Sequence, residues 1–336
     1  MEFLFADWLG TPAWFWLAFL AIVAALTAFD LGFLHKENRE IGIGESLKLS
    51  AFYISVAMLF GLWVWMARGP EPGMQYFTGF FIEKALSIDN VFVISLIFSY
   101  FAIPPRYQYR ALLWGIIAVI VLRGLMIAGG AMLLHQAYWV LYLFALFLIF
   151  TGVRMLFAGD GEMDIGNNRA IRFIARHMRV TPELHGEHFF VKAPDAKTGR
   201  MVIAATPLFL ALVVINIADL VFAVDSVPAI FAITTDTFIV YTSNIMAILG
   251  LRALYFALSA MVHRFYYLKY ALAAVLIFIG SKIFIADFVM GGEKFPPVLS
   301  LAVTAALIAG GVFYSLWKTR HGEDAAPHIP HDEIRP

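Results

Sequence analysis

Glu83-Lys84-Ala85-Leu86-Ser87-Ile88-Asp89-Asn90 and Asp219-Leu220-Val221-Phe222-Ala223-Val224-Asp225-Ser226 are two copies of one pattern, each set inside a long apolar run. Both read as a carboxylate, five residues, a second carboxylate and a small polar side chain. Glu83 therefore matches Asp219, Asp89 matches Asp225 and Asn90 matches Ser226. Acids repeated at one spacing in apolar surroundings point to a duplicated architecture with a site between its halves.

The surroundings are apolar throughout. The chain has 336 residues, 61% of them hydrophobic and 14% charged, and its mean hydropathy is +0.80. That composition suits a bilayer rather than water. Apolar runs near 14–34, 47–66, 76–101, 111–134, 139–157, 202–233, 238–262, 267–289 and 297–317 each approach the roughly 20 residues that cross a hydrocarbon core as a helix. The expected fold is thus all-α, a polytopic membrane protein of about nine transmembrane helices. The first run lacks a basic start and a small-residue cleavage site, and is expected to be a retained span.

Lys and Arg set the expected orientation, because basic connections stay on the cytoplasmic side. Lys36, Arg39 and Lys48 flank the first connection, Arg106 and Arg110 the third, Arg264 and Lys269 the seventh, and Lys318 and Arg320 follow the last run. The intervening connections are poor in basic residues. An N-terminus outside and a cytoplasmic C-terminus fit this alternation.

The halves share more than the acids. Leu122-Arg123-Gly124-Leu125 recurs as Leu251-Arg252-Ala253-Leu254, and Gly152-Val153-Arg154 as Gly280-Ser281-Lys282. The expected organisation is two leading helices (1–75), a first three-helix repeat (76–158), a cytoplasmic loop (159–200), a second repeat (201–290), a last helix (291–317) and a disordered tail (318–336). Three helices is an odd number, so the second unit is expected upside down relative to the first, with the two acidic motifs facing each other near the midplane.

A carboxylate at the bilayer centre costs roughly 2.5–3.5 kcal/mol on an insertion scale, and four cost about 10 kcal/mol if unpaired. Protons, the chain's own cations or a bound metal ion could neutralise them. On a continuous helix Glu83, Ser87 and Asn90 share a face while Asp89 points about 120° away. A break would let both acids converge, and Pro228 is expected to supply one in the second motif by leaving the Val224 carbonyl without its N–H donor. Carboxylate, amide, hydroxyl and carbonyl oxygens suit hard divalent cations. The candidate ligands are Glu83, Asp89, Asn90, Asp219, Asp225 and Ser226, with Asp30, Ser87, Asn216, Val224 and Asn244 as additional candidates.

Bland alternatives stand beside these. Glu83 and Asp219 could pair with Arg123 and Arg252 to hold each unit together, with Lys84 snorkelling or neutralising Glu83. Asp30 could be a helix-end charge, and Asn216 and Asn244 interhelical hydrogen-bond glue. His185 and His188 have metal-like spacing but fall in the loop, where a surface pair usually does nothing more. The absence of cysteine removes thiolate zinc sites, disulfides and iron–sulfur clusters. The zero formal net charge gives no sign of a nucleic-acid partner.

These residues resemble the TerC family of bacterial membrane proteins, its Alx branch in particular. The likeness runs from about Thr78 to Asp287, through Glu83–Val93, Leu122-Arg123, Thr151-Gly152-Val153, Glu187-His188-Phe189-Phe190-Val191, Ala205-Thr206-Pro207-Leu208, Asp219–Ile230 and Thr242–Phe256. The resemblance implies a LysE-like transporter exporting Mn²⁺, with older labels of tellurium resistance and redox modulation. It assigns the intramembrane acids to Glu83, Asp89, Asp219 and Asp225, and Asp30 to the acid of the first span. Many relatives have Glu where this chain has Asn216, so the site here carries one negative charge fewer. No tightly bound cofactor and no enzymatic activity are expected. The alternative is an assembly or metal-delivery factor that meets other membrane proteins through the 159–200 loop.

Overall fold

The computed structural model describes residues 5–33, 43–137, 139–157, 179–181, 183–194, 201–258, 267–291 and 295–320. The long apolar runs fold as helices. Five precede the loop: α1 Ala13–Phe33, α2 Ile43–Arg68, α3 Pro70–Tyr100, α4 Pro105–Gln136 and α5 Val140–Phe157. Five follow it: α6 Pro207–Phe231, α7 Thr237–Leu249, α8 Leu251–Leu258, α9 Leu268–Phe284 and α10 Pro297–Arg320. A π-helical turn, Ile285–Val289, extends α9.

Among the described residues, eight helical segments are long and apolar enough to cross a membrane, with α7 and α8 counted as one. α3 falls outside that set because Glu71, Glu83, Lys84 and Asp89 interrupt its apolar run. Its 31 residues are nonetheless about 46 Å long at 1.5 Å per residue. The fold is an all-α polytopic membrane protein.

Local chemistry sets the helix starts. Pro70, Pro105 and Pro207 occupy the first turns of their helices, where a missing N–H costs nothing. The Asp236 carboxylate accepts from the N–H groups of Phe238 (3.0 Å) and Ile239 (3.2 Å) to cap α7. That same carboxylate pairs with Arg68 at 2.9 Å, fastening the end of α2 to the start of α7.

Several boundaries differ from the sequence expectation. The run that starts at Val202 opens as a strand: Met201–Ala205 (β4) pairs antiparallel with Phe190–Pro194 (β3), with Phe190 opposite Ala205. A five-residue apolar run before a Thr-Pro helix start carries no periodicity that separates strand from helix. The 159–200 loop thus contains one arm of a hairpin, while 158–178 and 195–200 lie outside the described residues. A smaller hairpin joins Asp7–Trp8 (β1) to Thr11–Pro12 (β2). The seventh run is two helices parted at Gly250 rather than one. α10 continues to Arg320, so the expected disordered tail begins no earlier than 321, outside the described residues.

Helix α7 is the centre of the bundle, with nearly every residue buried from Phe238 to Leu249. It packs on α3 and α4, and also meets α1 and α2. Around it α4 packs on α6, α5 on α9, and α10 on both α9 and α3. Phe15, Phe19, Phe60, Tyr76 and Phe238 interlock at one end of the α7 contacts. On the outer helices large apolar side chains stay exposed, among them Leu146 and Phe150 on α5 and Phe313 and Trp317 on α10. Such faces suit hydrocarbon chains rather than water.

Candidate functional site

Arg123 lies midway along α4 and is 1% exposed. A buried guanidinium needs acceptors for its fixed fork of donors, and three neighbouring helices supply them. From α6, Asp219 accepts two parallel bonds, from Arg123 Nε at 3.1 Å and Nη2 at 3.0 Å. From α3, Glu83 accepts from Nη1 in a short ion pair. Ser226 Oγ at 3.2 Å and Asn244 Oδ1 at 3.0 Å complete the ring around Nη1.

The acids are held by amides in turn. Asn244 Nδ2 on α7 donates to Glu83 Oε2 at 3.1 Å, and Asn90 Nδ2 on α3 donates to Asp219 Oδ1 at 3.4 Å. Glu83 and Asp219 are both buried, at 1% and 7% exposure. The leading acid of each sequence motif thus reaches one site. Within this cluster two carboxylates face one guanidinium.

Beside the cluster, Asn90, Asp219, Gly115, Ile116, Ile215 and Leu251 border a cavity of about 20 Å³, room for roughly one water molecule. Asn90 Oδ1 is buried and has no hydrogen-bond partner among the described residues.

The remaining candidates are distributed differently. Ser87 Oγ donates back to the Glu83 carbonyl at 2.7 Å, inside its own helix. Asn216 Nδ2 likewise returns to the Leu212 carbonyl at 2.8 Å, while its Oδ1 has no partner among the described residues. Val224 is about half exposed, and α6 runs on through Pro228 to Phe231 without the expected break. Pro228 sits within the last turn, where the helix can continue past a missing bond. The backbones of Asp89 and Asp225 are helical, but their side chains lie outside the described residues.

Asp30 belongs to a second cluster. Its carboxylate makes a short ion pair with Arg252 on α8 and accepts a short hydrogen bond from the Tyr53 hydroxyl on α2. Tyr109 on α4 donates to the Asp30 carbonyl at 2.8 Å, and its ring lies 4.4 Å from the Arg252 guanidinium. Arg252 therefore does not serve Asp219 as its counterpart Arg123 serves Glu83; one arginine takes both acids and the other takes Asp30. Lys84 does not neutralise Glu83 either: its ammonium donates to the Ala247 carbonyl at 3.2 Å.

Sequence reasoning treated Arg123 as a partner within one unit and missed its place at the centre of both. The available signal was an arginine amid the apolar run Ile116–Ile127 of a 32-residue helix. His185 and His188 are both exposed, and His185 Nδ1 lies 2.9 Å from the Glu183 carbonyl. Among the described residues no three His, Asp or Glu side chains converge on a metal-sized site.

The profile of the integral membrane protein TerC family matches residues 68–323. The chain belongs to the TerC family. A membrane protein of Rickettsia bellii (strain RML369-C) is 46% identical over 301 residues, covering 90% of this chain and 96% of its own. A Myxococcus xanthus membrane protein is 44% identical over 321 residues, covering 96% and 97%. A Photorhabdus laumondii relative, which bears the name membrane-bound redox modulator Alx, is 40% identical over 321 residues, covering 93% and 97%. No solved structure matches the chain. Both acidic motifs and Arg123 fall inside the TerC match.

Proposed function

We propose that this TerC protein exports a divalent cation, Mn²⁺ first among them, across a bacterial inner membrane by alternating access, with proton exchange as the coupling. One observation carries the reading: Glu83 from α3 and Asp219 from α6, the leading acids of the two sequence repeats, meet in a single buried site. Ser226 and Asn244 add neutral oxygens to the same place, and the Asn90 amide reaches it through Nδ2, which donates to Asp219. Hard oxygen donors of this kind suit Mn²⁺, Mg²⁺ or Ca²⁺. Metal and protons compete for the same carboxylates, which provides a means of exchange.

Helix pairing supports inverted units. Exchanging α3, α4 and α5 for α6, α7 and α9 turns the α3–α7 contact into the α6–α4 contact and leaves α5–α9 unchanged, and all three contacts are extensive. Such an arrangement suits rocking of one unit against the other about a fixed site.

The test is Mn²⁺ flux into or out of liposomes containing the purified protein, with and without a pH gradient. Wild type should carry the ion, and Glu83→Gln, Asp89→Asn, Asp219→Asn and Asp225→Asn should abolish transport while inserting normally. A wild-type rate in all four variants would overturn the proposal.

A second reading, an assembly or metal-delivery factor for other membrane proteins, has its own support. Phe190, Met201 and Ile203 are exposed on one face of the β3–β4 hairpin, and relatives bear a redox-modulator name. A chain without cysteine offers no thiol–disulfide exchange, so redox modulation would act through metal supply. Replacing the three apolar residues with Ser separates the readings, because only the second reading loses function while flux persists.

A further inference from the structure

We infer that Arg123 is a built-in competitor for the transported cation, holding the acid site in the ion-free state and yielding it when a divalent ion binds. The inference rests on the export reading. Its basis is the geometry at one guanidinium: Nε and both terminal nitrogens are committed to Glu83 and Asp219. Those carboxylates are the charged ligands among the described groups, and the guanidinium occupies the space between them.

Charge decides what must happen next. With both carboxylates ionised, Glu83 and Asp219 carry two negative charges and Arg123 one positive charge, so these three described groups sum to −1 without the ion. A divalent cation added with Arg123 still in place would leave +1 in a buried site, with two cations sharing two acids. With Arg123 withdrawn, the ion and the two carboxylates sum to zero. Interactions among buried charges fall off slowly because the surroundings screen them poorly, so the neutral combination is favoured over the one at +1, with Ser226 Oγ and Asn244 Oδ1 left as acceptors for the displaced guanidinium.

The cavity offers a starting point for the exchange. It touches Asp219 on the side of Asn90, whose Oδ1 is buried and has no partner among the described residues. An incoming ion can meet Asn90 Oδ1 and an Asp219 oxygen before Arg123 lets go. Arg123 is thus a positioning residue that sets affinity and couples occupancy to the packing of α4, rather than a ligand.

The experiment measures Mn²⁺ binding to the full chain in lipid nanodiscs, following the free-ion paramagnetic resonance signal, alongside flux in liposomes. Arg123→Gln should bind Mn²⁺ on the order of tenfold more tightly than wild type yet turn over more slowly, since nothing expels the ion. Arg123→Lys, which keeps a competing charge, should stay near wild-type affinity. Arg123→Gln leaves two buried acids uncompensated and could fail to fold, so a charge-balanced pair provides a second comparison. Glu83→Gln should weaken binding, and Glu83→Gln/Arg123→Gln should bind on the order of tenfold more tightly than Glu83→Gln alone.

Unchanged or weaker binding in the double variant relative to Glu83→Gln, with wild type transporting Mn²⁺, overturns the role of Arg123 and leaves the export reading standing. A folded wild type that neither binds nor carries Mn²⁺, Mg²⁺ or Ca²⁺ overturns both.

Discussion

Gly152 on α5 and Gly280 on α9 face each other's helices reciprocally. A Cβ at 152 would lie 2.8 Å from the Ala273 carbonyl oxygen and 2.7 Å from Ile277 Cγ1. A Cβ at 280 would lie 2.6 Å from the Ala145 carbonyl oxygen and 2.8 Å from Ile149 Cγ1. Each glycine lets its helix approach the backbone of the other, as small residues do where membrane helices pack. Because α5 and α9 end the two proposed repeats, this contact lies where a twofold axis between the units would pass.

Gly152→Ala and Gly280→Ala should each destabilise the protein by about 1–3 kcal/mol, the usual cost of forcing volume into a packed interface. The obstacle is a backbone oxygen, which cannot rotate aside as a side chain can. Thermal unfolding in detergent measures the effect. Equal losses at the two positions support the reciprocal contact, and no loss at either would mean that the helices separate freely.

Asp30→Asn should lower stability by about 3–5 kcal/mol, because it leaves Arg252 buried without its carboxylate. Asp30→Asn/Arg252→Gln should recover much of that loss by removing the stranded charge. Mn²⁺ affinity should stay within about twofold of wild type in both, since the hydrogen bonds of Asp30 lead to Arg252 and Tyr53 rather than to Glu83. A tenfold fall in affinity at unchanged stability would place Asp30 in the ion site instead.

Asn216→Glu should tighten divalent binding roughly tenfold. Residue 216 is three positions before Asp219 on α6, so the two share a helix face. Its Oδ1 has no partner among the described residues, so a carboxylate there displaces no hydrogen bond of that oxygen. The same binding measurement, repeated with Mg²⁺ as competitor, reports whether the added charge also changes selectivity. Unaltered affinity would put position 216 beyond reach of the ion.

The bundle and the pair Glu83 and Asp219 were legible in the sequence because each rests on a local signal. Membrane-length apolar runs locate helices, and an acid inside such a run is too costly to be incidental. Partner choice was less legible. Arg123 and Arg252 occupy matching places in the repeat, yet one takes Glu83 and Asp219 while the other takes Asp30 from a helix outside the repeat. That difference depends on how α1 and α2 lean on the second unit, a long-range matter that periodicity does not encode. The Met201–Ala205 strand escaped for the opposite reason: five apolar residues are too short a stretch to display a period.

Binding to the folded state alone should stabilise the protein by mass action, which provides a test that needs no transport. At a Mn²⁺ concentration about 100 times the dissociation constant, wild type should gain about 2.7 kcal/mol, read as a rise in unfolding temperature. Asp219→Asn should lose the rise, because Asp219 is the acid that touches both the Arg123 fork and the Asn90 cavity. Glu83→Gln should reduce it, leaving Asp219 as a single charged ligand that Arg123 still occupies. Asn90→Leu keeps both acids but removes the amide beside the cavity, and should give a smaller rise in unfolding temperature than wild type at the same Mn²⁺ concentration. If Mn²⁺ stabilises Asp219→Asn as strongly as wild type, the ion binds somewhere other than the acids the two repeats bring together.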